Sequence, residues 1–138
     1  MKKILIVLLA MVVLGLFITQ AYAEDLELLS WNWGQPYKGN NVVVVNGEVK
    51  NISDHPIKWI RVVVTFYTKD GTYITHHASL GMAFNPIMPT QVSPFKVLVG
   101  WNPWMYTAKI EFQDSDPSSA TATCRISCKS KNNIKKMD

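Results

Sequence analysis

Three histidines, two cysteines and ten carboxylates are the side chains in this chain that can ligate a metal or move a proton. His76 and His77 are adjacent, and neighbouring residues on an extended strand point to opposite faces, so the pair cannot grip one ion from a flat strand. His55 stands apart, and no His-x-His spacing or clustered carboxylates accompany any of the three. The reading is therefore no metal site and no cofactor. Cys124 and Cys128, in Cys124-Arg125-Ile126-Ser127-Cys128, can pair with each other in an oxidising compartment. Such a short bridge removes little chain entropy and pins only a tail. Arg125 and Lys129 can lower a thiol pKa, but the Cys-x-x-Cys spacing and helix start of redox catalysts are missing. Pairing between chains stays open. Glu24, Asp25 and Glu27 cluster at a terminus, while Glu48 and Glu111 stand on strand faces beside basic neighbours. No paired carboxylates, Gly-x-Ser-x-Gly elbow or phosphate-cradling glycine loop emerges, so no catalytic residues are assigned.

The residues suited to contact rather than catalysis are aromatic. The chain holds five Trp, and Trp101-Asn102-Pro103-Trp104 places two of them on a loop, where Pro103 restricts the backbone. Trp101 and Trp104 either plug an open end of the fold, as the usual burial of Trp favours, or form a stacking platform with Asn102 as its hydrogen-bonding neighbour. Trp31 and Trp33 share one face of an extended segment, and with Tyr37 they add to that surface or line the core.

The elements that must hold these residues repeat with period two. Val42 to Val45 lead into Gly47-Glu48-Val49-Lys50, a β-branched run that disfavours helix and predicts a strand with Val43, Val45 and Val49 inward. Ile60, Val62, Val64 and Phe66 alternate with Arg61, Val63, Thr65 and Tyr67, the clearest strand in the chain. Asp70-Gly71 then supplies a tight turn, and Thr72 to Ala78 runs back antiparallel. Leu26 to Trp33, Val92 to Val99 and Tyr106 to Phe112 read as further strands. Pro86, Pro89 and Pro94 cannot donate to a ladder and confine the segment from Leu80 to Gln91 to an edge or connection. No segment carries a helix-length apolar stripe. The fold class is all-β, an immunoglobulin-like antiparallel β-sandwich of six to seven strands. At about 115 mature residues it buries roughly 65% of its unfolded surface and needs no disulfide for stability.

The chain ends are read separately. Lys2 and Lys3 precede an apolar run from Ile4 to Ile18, and Ala21 and Ala23 occupy the small-residue positions of a cleavage site. This predicts a signal peptide over 1–23, with the exported, periplasmic or extracellular protein beginning at Glu24. A run of about 15 residues falls short of the ~20 that span a bilayer. Residues 24–113 form the sandwich domain, with seven basic and seven acidic side chains. The mature excess lies beyond Gln113, where Arg125, Lys129, Lys131, Lys135 and Lys136 make residues 114–138 a basic, flexible tail. The tail can touch a membrane surface, but its Ser and Asn content favours a solvated terminus, and nucleic-acid binding is not inferred.

Gly47-Glu48-Val49-Lys50-Asn51, Ile60 to Tyr67, Lys69-Asp70-Gly71, Met88-Pro89 and Pro94-Phe95 together resemble the successive signatures of FxLYD-type bacterial extracytoplasmic domains, over residues 41 to 99. Val64 stands where that family's motif has Phe, Thr68 where it has Asp, and Thr90 where a Gly commonly follows the Pro. The resemblance implies a β-sandwich used as an accessory or stand-alone module in secreted and envelope proteins, with no catalytic residues to carry over. The function expected from the whole is a non-catalytic binding module whose partner is another envelope or extracellular protein. The alternative is carbohydrate recognition through Trp101, Asn102 and Trp104.

Overall fold

Valines whose branched side chains favour a pleated surface form the middle of this protein. Its computed structural model describes residues 25–36, 39, 41–115, the backbone of 128–129, and 132–137. Six strands fall where the alternation places them: β1 (Leu26–Gly34), β2 (Val42–Asn51), β3 (Ile60–Tyr67), β4 (Tyr73–Ser79), β5 (Val92–Gly100) and β6 (Thr107–Asp114). Two short strands follow, β7 (Cys128–Lys129) and β8 (Ile134–Lys136). They assemble as two four-stranded sheets, ordered β5-β2-β1-β7 and β4-β3-β6-β8. Every pairing is antiparallel except the parallel contact of β7 with β1. Along β1 to β6 the chain changes sheets between β2 and β3, β4 and β5, and β5 and β6, and β7 and β8 again lie in different sheets. The orders β5-β2-β1 and β4-β3-β6-β8 match the E-B-A and C′-C-F-G orders of an immunoglobulin-like sandwich.

The inward faces are those the alternation predicts. Val43, Val45 and Val49 of β2 and Val62, Val64 and Phe66 of β3 are buried, as are Phe95, Val97 and Val99 of β5 and Ala108, Ile110 and Phe112 of β6. Tyr106 falls just outside β6 and is half-exposed. Two aromatic pairs lock the core edge to face: Trp33 with Phe66 at 5.4 Å between ring centroids and Phe95 with Phe112 at 5.8 Å. Trp31 and Trp33 therefore line the core. Tyr37 lies outside the described residues.

Gly47 makes this core possible. A side chain there would stand 2.6 Å from the Phe95 ring and 2.7 Å from Trp31 Cβ, and would strike the Ser30 carbonyl. The β3–β4 hairpin closes through Gly71 at φ +86°, with the Gly71 N–H donating to Thr68 O at 3.0 Å. The Thr68 hydroxyl, donating to the Asp70 carboxylate, holds that group below the usual carboxylate range, helped by the Thr72 backbone. Pro94 lies inside β5, which is permitted because β5 edges its sheet at this point. The Pro94 carbonyl accepts from Ala83 N–H at 2.9 Å on the side where proline lacks a donor.

The expected tail needs correction. Residues 132–137 are part of the sandwich, and β6 itself extends to Asp114. Trp31 and Trp33 aim their indole N–H groups at the backbone of residues 132–135, and buried donors require acceptors. Asn132 O accepts from Trp31 Nε1 at 2.8 Å and Lys135 O from Trp33 Nε1 at 3.1 Å. Lys135 Nζ donates to Trp31 O at 2.7 Å, so one of the tail's charges is spent inside the fold. The domain thus reaches at least Met137, whose N–H donates to Tyr106 O. The signal peptide over 1–23 lies outside the described residues.

Candidate functional site

The loop that follows β5 divides its aromatics. The Trp101 N–H donates to Asn41 O at 2.8 Å, and its half-buried ring packs on the core. Asn102 spends its side-chain oxygen on the Trp104 N–H at 2.9 Å, and its carbonyl accepts from Met105 N–H at 3.0 Å. This tight turn buries Met105 and throws Trp104 outward, 73% exposed. Of the two alternatives, Trp101 with Met105 plugs the end of the sandwich, and Trp104 faces solvent. The paired stacking platform does not form: one ring is half-buried in the core and the Asn102 oxygen is occupied.

The remaining chemistry-bearing residues stay dispersed. His76 and His77 sit opposite Thr65 and Val64 in the β3–β4 ladder and so point to opposite faces. His76 Nδ1 lies 2.8 Å from Tyr73 Oη, and His55 Nδ1 lies 3.1 Å from Asp54, whose carboxyl that contact lowers. Among the described residues, no three His, Cys, Asp or Glu side chains converge. Cys128 is in β7 beside Leu26. Cys124 lies outside the described residues, and so does any bridge between the two.

The opposite end of the sandwich holds a surface that the sequence reading passed over. There the β2–β3 connection (residues 52–59) meets the β4–β5 connection (residues 80–91), and the meeting is organised by one buried side chain. Asn51 Nδ2 donates to His55 O at 2.8 Å and to Ile87 O at 2.9 Å. Its Oδ1 accepts from Ser53 N–H and Ser53 Oγ–H at 2.9 and 2.7 Å. Ile57 and Ile87 then exchange backbone hydrogen bonds, and Ile87 is fully buried beneath the two loops.

Above this clamp stand Trp59, Leu80, Phe84 and Met88, all substantially exposed. Trp59 is held at φ +54°, a region that aromatic residues rarely enter. Its N–H donates to Asn85 Oδ1 at 3.0 Å, and its carbonyl accepts both the N–H and the hydroxyl of Ser115. Trp59, Leu80 and Phe84, with Ile57 and Met82, border a cavity of about 40 Å³. Among the described residues the other non-glycine with positive φ, Thr90 at +69°, lies in the same pair of loops. Such backbone strain persists only where neighbours over-determine it, and for Trp59 Asn85 of the β4–β5 connection and Ser115, just past β6, do so. One signal was available in the sequence. Trp59 and Ile60 are consecutive large apolar residues, of which only Ile60, the first residue of β3, is buried.

No family model matches the chain, and no curated protein matches it in sequence. Among solved structures, the crystal structure of the C-terminal domain of Wzt resembles it with a TM-score of 0.53 at 12% identity, over 75% of this chain and 68% of that one. A calcium-binding mutant of Bacteroides uniformis β-glucuronidase 2 resembles it with a TM-score of 0.52 at 12% identity, over 73% of this chain but 14% of that one. At such identities the likeness is one of fold, and the chain is a β-sandwich domain of the kind that recurs in larger proteins of different activity.

Proposed function

We propose that this chain is an exported, non-catalytic binding module of the cell envelope, and that its partner is another protein held at the apolar end formed by residues 52–59 and 80–91. The observation that carries the reading is Trp59: a large aromatic kept 41% exposed at an unfavourable φ by Asn85 and Ser115, with Leu80, Phe84 and Met88 around it. Contiguous apolar exposure marks contact surfaces, and rigid Trp residues carry much of the energy at protein interfaces. Export rests on the Ala21 and Ala23 spacing, and the resemblance to FxLYD-type domains points the same way. Thr90, where that family commonly has Gly, adopts the positive φ that glycine enters freely.

The test places a photo-crosslinking residue at Phe84, or at Trp104 on the opposite end, in cells making the exported protein. Crosslinks to an envelope protein from position 84 that disappear in Trp59→Gly are expected. Glycine relieves the φ strain, so that variant should keep its unfolding free energy within about 1 kcal/mol. Crosslinks from position 104 alone, or to lipid alone from position 84, would refute the assignment. Carbohydrate recognition at the other end keeps one supporting observation, the exposure of Trp104.

A further inference from the structure

The outer face of the β5-β2-β1 sheet departs from the rules its own sequence sets. Asn is depleted in strands, and Asn-Gly is the strongest short-range hairpin signal, yet Asn32 lies within β1 and Asn46-Gly47 in the middle of β2. These departures are neighbours. Asn32 pairs with Asn46 across the β1–β2 ladder, and Asn46 pairs in turn with Lys96 of β5. The next row along the sheet is Ser30, Glu48 and Pro94. Gly47 is explained from within, by the Phe95 ring and Trp31 packed against it. The core asks nothing of Asn46, whose exposed side chain bonds to no other described residue. Places where local preference is overridden without a packing reason are where function is expected.

Around these residues lies an open depression of about 700 Å³, reaching from Ser30 and Asn32 across Asn46 and Glu48 to Lys96 and Ala83. We infer that it is a binding site for a neutral oligosaccharide. A sugar hydroxyl both donates and accepts, so it needs a mixed lining, which neutral amides and hydroxyls supply. Asn46 offers a carbonyl and an NH₂, and Ser30 a hydroxyl. Asn32 accepts the Trp33 N–H at 2.8 Å, which fixes its amide and leaves the NH₂ to donate. Glu48 and Lys96 add one acceptor and one donor of opposite charge, so the site carries no net charge to attract a polyanion or a basic peptide. Neighbouring strands are ~4.8 Å apart and alternate side chains ~6.7 Å apart along each strand, a rigid grid on the scale of one hexose unit. The depression is open, which suits a chain of sugars over a single one.

This site is separate from the apolar end and does not depend on that reading. The experiment titrates the ¹⁵N-labelled protein with maltohexaose, cellohexaose and chitohexaose while backbone and Asn side-chain amides are followed by NMR. At least one hexasaccharide should shift the Asn32 and Asn46 side-chain amides and the neighbouring backbone. Asn46→Ala should weaken that binding about tenfold, the loss of one to two hydrogen bonds, and Trp59→Gly should leave it unchanged. The inference is overturned if all three sugars leave the depression unperturbed, if shifts gather at Trp104 instead, or if Asn46→Ala binds as well as the parent.

Discussion

Asn51 allows a prediction whose sign depends on hydrogen-bond chemistry rather than on volume. Its fully buried amide makes two donations, to His55 O and Ile87 O, and accepts two, from the N–H and hydroxyl of Ser53. Asn51→Ala removes all four. At about 1 kcal/mol net for each the ceiling is about 4 kcal/mol. Part of that is recovered, because Ile87 O keeps the Ile57 N–H and Ser53 is near water. The expected loss is about 2–3 kcal/mol by urea unfolding at pH 7. Asn51→Asp keeps the volume but turns the donating end toward two carbonyl oxygens as an acceptor, and it should cost about 3–5 kcal/mol, more than Ala. That carboxyl, buried against oxygens, has a folded pKa above its unfolded value of ~3.9. Its penalty therefore grows as pH rises above about 4, and it is relieved on acidification as the protonated acid regains one donor. If Asn51 merely fills space, Asp will be the milder substitution. That order, or losses under about 1 kcal/mol for both, would refute the clamp.

Three further outcomes follow from the packing. Gly47→Ala puts a methyl into the Ser30 carbonyl, which the β1–β2 ladder prevents from moving, so unfolding free energy should fall by about 3 kcal/mol or more. Thr90→Gly removes a β-branched residue from φ +69° and should raise stability by about 1 kcal/mol in the same assay, the penalty of the strained backbone less the extra chain entropy of glycine. Trp104→Ala should change stability by less than about 0.5 kcal/mol, whereas Trp101→Ala should cost about 2 kcal/mol, because only Trp101 packs on the core. Equal melting temperatures for these two variants would contradict the divided loop.

The six long strands were legible because burying one sheet face forces a period of two on the sequence, and Asp70-Gly71 marks a turn tight enough to be read from two residues. β8 was not legible. Ile134-Lys135-Lys136 is short and mostly charged, and its place is set by the indoles of Trp31 and Trp33 about a hundred positions earlier, a relation that no local pattern encodes. The apolar end was missed for a similar reason. The exposure of Trp59 depends on a backbone angle fixed by Asn85 and Ser115, not on its own residue type. The Trp101–Trp104 loop was recognised as a loop, but the sequence could not apportion its two rings, since Asn102 and Met105 decide which one turns inward.

β2 shows how parity assigns opposite tasks to one residue type. Asn46 and Asn51 are five positions apart on the same strand, so one faces outward and the other inward. The outward amide lies in the open depression, while the inward one ties together the loops that present Trp59 and Phe84. β2 is paired along its length on both sides, to β1 and to β5, so these two surfaces are joined by the best-supported strand of their sheet. Loss of the Asn51 clamp should therefore loosen the end loops, seen as faster amide exchange over 52–59 and 80–91, while exchange at Asn46 and its ladder partners Asn32 and Lys96 stays slow. If exchange rises equally at both places, the loops and the sheet open as one unit, and the two surfaces cannot act independently.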